Sequence, residues 1–227
     1  MPIRENLERL KARIADACAR SGRNPDEVTL VAVTKTVAPD RIQEAVDAGV
    51  EILGENRIQE AEAKIGAVTG AVAWHMVGHL QRNKAAKAVA MFEMVQSVDS
   101  LRLARELDRQ AGEAGRSMDV MVEVNTSGEE TKFGVRPEAA VDLVGEISQL
   151  PNLAVKGLMT IGAFTNDESV IRKCFRTLRG LAEDTRRASF SNVEMRYLSM
   201  GMTSDFEPAI EEGSNMVRIG TAIFGLR

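Results

Sequence analysis

Val28-Thr-Leu-Val-Ala-Val-Thr-Lys35 is an apolar, β-branched run that ends in a lysine and leads into Thr36-Val37-Ala38-Pro39. A run of this composition reads as a strand buried on both faces, as in parallel sheets. Pro39 and Asp40 then supply a stop and a helix start. Lys35 therefore falls at the carboxyl end of a core strand, where barrels and open α/β sheets bind their ligands. Partial desolvation at such a place disfavours an ammonium group and leaves an amine that attacks carbonyls to form a Schiff base. A strand-end lysine can equally snorkel into solvent. Taken alone, the strand favours that plainer reading.

On both sides of this run the same alternation repeats. Before it, Ile3, Leu7, Leu10, Ile14 and Ala17 recur at helical spacing up to about Arg20, and Ser21-Gly22 and Asn24-Pro25 close that helix. After it come a helix from about Pro39 stopped by Gly49, a strand at Glu51–Gly54 and a polar helix from Asn56 to Ile65. Further strands read at Ala73–Gly78, Met94–Val98, Asp119–Asn125, Leu153–Met159, Glu194–Ser199 and Met216–Gly220. Helical patterns separate them: Ala85–Met91, a face of Leu101, Ala104, Leu107 and Ala111, another of Ala140, Leu143, Val144 and Ile147, then Ile171–Ala182 and Ser204–Glu212. Eight strands alternating with helices across short loops predict a single (β/α)8 TIM-type barrel domain over residues 1–227 with an additional N-terminal helix. An open doubly wound sheet is the alternative. The chain ends seven residues after Gly220, so no full helix follows strand eight, and the N-terminal helix is placed to cover that gap.

Bulk properties narrow the function. The 227 residues are 44% hydrophobic and 27% charged, with a net charge of −4. These values are ordinary for a soluble globular protein and give no electrostatic reason to bind nucleic acid or an anionic membrane. No apolar run approaches membrane-spanning length, and the amphipathic N-terminus lacks the apolar core of a signal peptide. The two cysteines, Cys18 and Cys174, read as reduced core thiols. A cytoplasmic protein is expected, and a monomer.

Barrels often hold phosphate on the loops after strands seven and eight. Here these loops are Leu198-Ser-Met-Gly-Met-Thr203 and Arg218-Ile-Gly-Thr-Ala222. Gly201 and Gly220 allow close backbone approach, and the amides after them, with the hydroxyls of Ser199 and Thr221, suit an anion. Ser204 with Glu207 also matches a capping box, which needs no ligand. Barrel closure sets strand eight beside strand one, so both loops flank Lys35 on one rim. A Schiff-base lysine next to a phosphate corner suits a phosphorylated aldehyde: pyridoxal phosphate or a sugar phosphate. Arg218 is either a strand-end arginine paired to a carboxylate or the partner of a pyridine nitrogen. In the second case a permanent cation keeps that nitrogen unprotonated, and the ring becomes a poor electron sink.

Seven stretches then bear a joint resemblance. They are Val31-Ala-Val-Thr-Lys35, Gly54-Glu-Asn-Arg-Ile-Gln-Glu60, Trp74-His-Met-Val-Gly-His-Leu-Gln-Arg-Asn-Lys84, Asn125-Thr-Ser-Gly-Glu-Glu-Thr-Lys-Phe-Gly134, Gly157-Leu-Met-Thr-Ile161, Leu198-Ser-Met-Gly-Met202 and Met216-Val-Arg-Ile-Gly-Thr-Ala-Ile-Phe-Gly225. Together they resemble the pyridoxal phosphate homeostasis protein family, related to the N-terminal domain of alanine racemase. The resemblance implies pyridoxal 5′-phosphate as cofactor, Lys35 as the Schiff-base lysine, phosphate contacts on the Ser199–Gly201 and Gly220–Thr221 loops, and Arg218 at the ring nitrogen. Asn56 and Met202, inside two of these motifs, complete the expected cofactor-binding set. No catalytic residue is assigned. The implied role is to bind, buffer and deliver the cofactor, with PLP-dependent apoenzymes as recipients and Lys132 as a suspected second contact.

An amino-acid racemase is the alternative. It needs a second acid/base group, and the one tyrosine, Tyr197, lies within strand seven. A sugar-phosphate aldolase would use Lys35 without a cofactor. His75 and His79, the only histidines, lack companion ligands, so no metal is expected. Asn56 and Asn83 at strand-to-helix turns suit capping as well as ligand contact. Gly128–Lys132 reads as a solvated rim.

Overall fold

The computed structural model describes residues 2–225. Its strands are β1 (Thr29–Val33), β2 (Ile52–Glu55), β3 (Ala73–Met76), β4 (Met94–Val98), β5 (Met118–Glu123), β6 (Leu153–Met159), β7 (Val193–Ser199) and β8 (Met216–Ile219). They run in sequence order as a closed, all-parallel barrel. Closure is made by β1 on β8, where Val31 stands opposite Arg218 and Ala32 opposite Ile219. The first and last strands of the chain therefore share one rim, and the open-sheet alternative is overturned.

Around the barrel lie α1 (Ile3–Arg20), α2 (Pro39–Asp47), α3 (Ile58–Ile65), α4 (Ala85–Met91), α5 (Leu101–Glu113), α6 (Pro137–Ile147), α7 (Glu168–Ala188), α8 (Phe206–Glu211) and α9 (Thr221–Phe224). As expected, α1 covers the gap after β8, because α9 is a single turn. Its buried stripe of Ile3, Leu7, Leu10, Ile14 and Ala17 faces inward. Its outer edge is tied across the chain: Asn6 Nδ2 donates to Ile223 O at 2.8 Å, Arg13 pairs with Glu207 at 3.1 Å and Arg20 with Glu211 at 2.6 Å. Glu207 is thus spent on α1. The Ser204–Glu207 capping box does not form; α8 starts at Phe206, and Asp205 Oδ1 accepts the Met202 amide instead (2.6 Å).

Period-two alternation sends each strand's side chains into two compartments. Outward-facing residues such as Ala32, Leu53, Val95, Val122, Leu158, Val217 and Ile219 meet the helices in the main core. Inward-facing residues form a smaller cluster of Val31, Val77, Met94, Met121, Met159 and Met216. Four methionines fill the barrel axis, where an unbranched, deformable side chain suits the irregular space between strands. Gly157 is required by the close approach of β7 at a register shift, since a Cβ there would stand 2.0 Å from the backbone oxygen of Tyr197. Tyr197 itself packs against this inner cluster. Both cysteines are buried free thiols, and no helix among the described residues is long and apolar enough to cross a membrane.

Candidate functional site

At the carboxyl rim, between the ends of β1 and β8, lies a cavity of about 370 Å³. That volume falls in the range of small-ligand sites. Val33, at the end of β1, and Lys35, two residues beyond it, line this cavity, and so does Arg218 of β8. Val33, Val77 and Ile161 form apolar walls, and Asn56, Met202, Thr203, Ser204, Gly220 and Thr221 complete the lining.

Six of the eight expected binding residues meet here: Lys35, Asn56, Met202, Arg218, Gly220 and Thr221. Lys35 is exposed at the mouth rather than desolvated by the protein. Asn56 lines the cavity and does not cap α3, whose cap position falls one residue later, on Arg57. The other two expected residues stand behind the lining. Ser199 is fully buried, and its hydroxyl donates to Gln96 Oε1 and accepts from Arg218 Nη1, both at 2.7 Å. Gly201 has φ +98°, and a Cβ on it would come within 2.7 Å of Ala209 Cβ and 2.8 Å of Phe206 Cα. This glycine is set by the packing of its loop onto α8. Hydroxyls on this wall come from Thr203, Ser204 and Thr221. Nothing in the sequence sets the first two apart from ordinary turn residues beside a glycine.

Arg218 is the best-held group of the site. Nη1 donates to Ser199 O (2.8 Å) as well as to the hydroxyl, and Nη2 donates to Thr160 O at 2.7 Å. Burial pushes its pKa down to about 10, against the pull of Glu123 and Asp205, so it stays charged at neutral pH. Behind it runs a buried chain of hydrogen bonds, from Arg218 to Ser199 to Gln96 and on to His75 Nδ1 (2.9 Å). Burial lowers the His75 pKa to about 4, which keeps the ring neutral. Glu123, at the end of β5, is raised by burial to about 7, with Arg218 opposing the rise.

The remaining groups singled out in the sequence are elsewhere. Lys132 is no free rim lysine: Nζ donates to Glu129 Oε1 (2.6 Å) and Gly162 O (2.8 Å), outside the cavity lining. His79 stacks on Phe133 at 3.7 Å between ring centroids and pairs with Asp99. Among the described residues no three His, Cys, Asp or Glu side chains gather as a metal site. Tyr197 does not line the cavity.

The family model for the alanine racemase N-terminal domain matches residues 5–227. Among curated relatives, the pyridoxal phosphate homeostasis protein of Aquifex aeolicus is 42% identical, with 98% of this chain and 97% of that protein covered. The Escherichia coli K12 protein of the same name is 38% identical over 99% and 97%. Among solved structures, PipY of Synechococcus elongatus with PLP bound aligns at a TM-score of 0.82 and 36% identity, over 93% of this chain and 100% of that one. Alanine racemase of Clostridium difficile 630 aligns at 0.79 but 16% identity, over 100% of this chain and 57% of that one, and so speaks to the fold alone. The chain belongs to the pyridoxal phosphate homeostasis protein family, built on the alanine racemase N-terminal-domain fold.

Proposed function

We propose that this protein binds pyridoxal 5′-phosphate at the β1–β8 rim, holds it covalently through Lys35 as a Schiff base, and serves PLP homeostasis by releasing it to apoenzymes. The observation that carries the reading is the donor set of one cavity. An amine on Lys35, a buried guanidinium on Arg218 and a wall of Thr203, Ser204, Gly220 and Thr221 converge on a space the size of one small ligand. These match an aldehyde, a pyridine nitrogen and a phosphate. When bound, the cofactor supplies an aldehyde that condenses with an amine, releasing water and forming a C=N bond.

The chain's own residues decide how that bond is held. Lys35 Nζ is the nucleophile, and its exposure leaves the bond open to exchange with an incoming amine. Arg218 orients the ring through its nitrogen and, being cationic, leaves that nitrogen unprotonated, which suits retention better than carbanion chemistry. Ser199 acts behind Arg218, fixing it. Gly201 turns the chain so that Met202, Thr203 and Ser204 face the cavity. Asn56 bounds the opposite edge. Delivery to PLP-dependent apoenzymes is the onward step of this reading.

Titration of cofactor-free protein with PLP tests it. One equivalent is expected to give a yellow chromophore, absent in Lys35→Ala. A colourless wild type, or a chromophore that survives Lys35→Ala, contradicts the assignment.

A further inference from the structure

The Gly54-Glu-Asn-Arg-Ile-Gln-Glu60 motif has two carboxylates that do not line the cavity as cofactor partners, and both lie behind Lys35 with Lys64. Lys64 is 7% exposed. Its Nζ donates to Thr34 O at 2.8 Å, to Glu55 Oε1 at 2.7 Å and to Glu60 Oε2 at 3.3 Å. Glu60 Oε2 in turn accepts the Thr36 amide at 2.7 Å, and Thr34 Oγ1 donates to Glu55 Oε1 at 2.6 Å. The residues on either side of Lys35 are therefore gripped by one buried ammonium, directly at Thr34 and through Glu60 at Thr36.

The grip coincides with an unusual backbone. Thr36 has φ +60°, a left-handed conformation that a β-branched residue avoids because Cβ crowds the following carbonyl. Such a conformation persists only where its surroundings impose it. Here the Glu60–Thr36 bond turns the peptide after Lys35, while the Lys64–Thr34 bond holds the peptide before it.

From this geometry we infer that Glu60 and Lys64 are positioning residues, which clamp Thr34 and Thr36 so that the Lys35 amine faces the cavity in an attack-ready geometry. The inference rests on Lys35 as the cofactor lysine. It assigns to α3 a function in the covalent step, separate from affinity for the cofactor: proximity and orientation set the rate of a bond-forming step more than they set occupancy.

The test measures the rate of chromophore formation after cofactor-free protein is mixed with PLP, together with total PLP retained on rapid gel filtration and the thermal melt. Glu60 is a partly exposed helix residue, so Glu60→Ala is expected to stay folded. It should form the chromophore at least tenfold more slowly and still retain PLP within about twofold of wild type at equilibrium. Glu60→Gln keeps an oxygen to accept the Thr36 amide and should recover most of the rate. A double variant, Glu60→Ala with Thr36→Gly, allows positive φ without the clamp and should also regain rate. A wild-type rate in Glu60→Ala, or no recovery in Glu60→Gln, overturns the clamp. Failure of the wild type itself to form the chromophore overturns instead the assignment of Lys35.

Discussion

The two charged ends of the cavity are built in opposite ways. Arg218 is 5% exposed, and its guanidinium is fixed by three hydrogen bonds with a buried polar chain behind them. Lys35 is exposed at the mouth, and its fixed part is the backbone on either side, at Thr34 and Thr36. Recognition asks for a donor that does not move, because every freedom lost on binding costs affinity. A bond that forms and reverses asks for a side chain that can still reach, on a backbone that cannot drift. The contrast sorts the site into a rigid reader on β8 and a hinged hook after β1.

Removing the hook should have the largest effect. Lys35→Ala should abolish covalent retention, so that PLP is lost completely on denaturing gel filtration after borohydride. The fold should be unaffected, because an exposed side chain contributes little to it. Removing the reader acts in reverse. Arg218→Met strands the carbonyl of Thr160 inside the barrel, an unsatisfied group costing about 1–3 kcal/mol, while Ser199 O keeps the Thr160 amide at 3.0 Å. The expected loss of stability is about 2 kcal/mol, read by urea denaturation, with PLP binding weakened in proportion to how far the wall collapses. A stable Arg218→Met protein would show that the pinning is ornamental.

A further effect, seen only in the pH dependence of stability, isolates the charges that face the reader. Glu123 has a folded pKa near 7, above its ordinary 4.5. The folded state therefore holds a proton that the unfolded chain gives up between about pH 4.5 and 7. Its contribution to stability is full below pH 4.5 and fades as pH rises to 7. His75 runs the other way: its folded pKa, near 4 against 6.5, makes stability rise from pH 4 to 6.5. The two largely cancel in the wild type. Glu123→Gln should remove the decline and unmask the rise, so that stability relative to wild type improves by about 3 kcal/mol between pH 4.5 and 7. A flat difference over that window would contradict the buried, proton-bearing state of Glu123. Smallest of all, Phe133→Ala removes a stack on His79 at the rim and should cost about 1 kcal/mol or less, read as a small shift of the urea midpoint.

Hook and reader also differ in how far the sequence reveals them. The β1 run, the periodic α1 stripe and the strand-end positions of Lys35 and Arg218 are local patterns, and local patterns survive in a sequence. Barrel closure is legible because eight alternations leave few other arrangements. The partner of Ser199 is not: its hydroxyl meets Gln96, 103 positions away, and nothing near Ser199 marks that hydroxyl as already engaged. Gly201 is only half legible for a related reason. Glycine signals close approach without saying to what, and here the approaching body is α8. Glu60 and Lys64 show a helical i,i+4 pair, which in sequence is indistinguishable from a surface ion pair; only the position of Thr36 reveals its task.

Everything proposed for this site depends on Lys35, and no other lysine, carrying the cofactor. The decisive measurement is borohydride reduction of PLP-loaded protein, followed by proteolysis and mass spectrometry. A single phosphopyridoxyl label is expected, on the peptide containing Lys35. A label confined to Lys64, Lys132 or any other lysine would contradict the assignment.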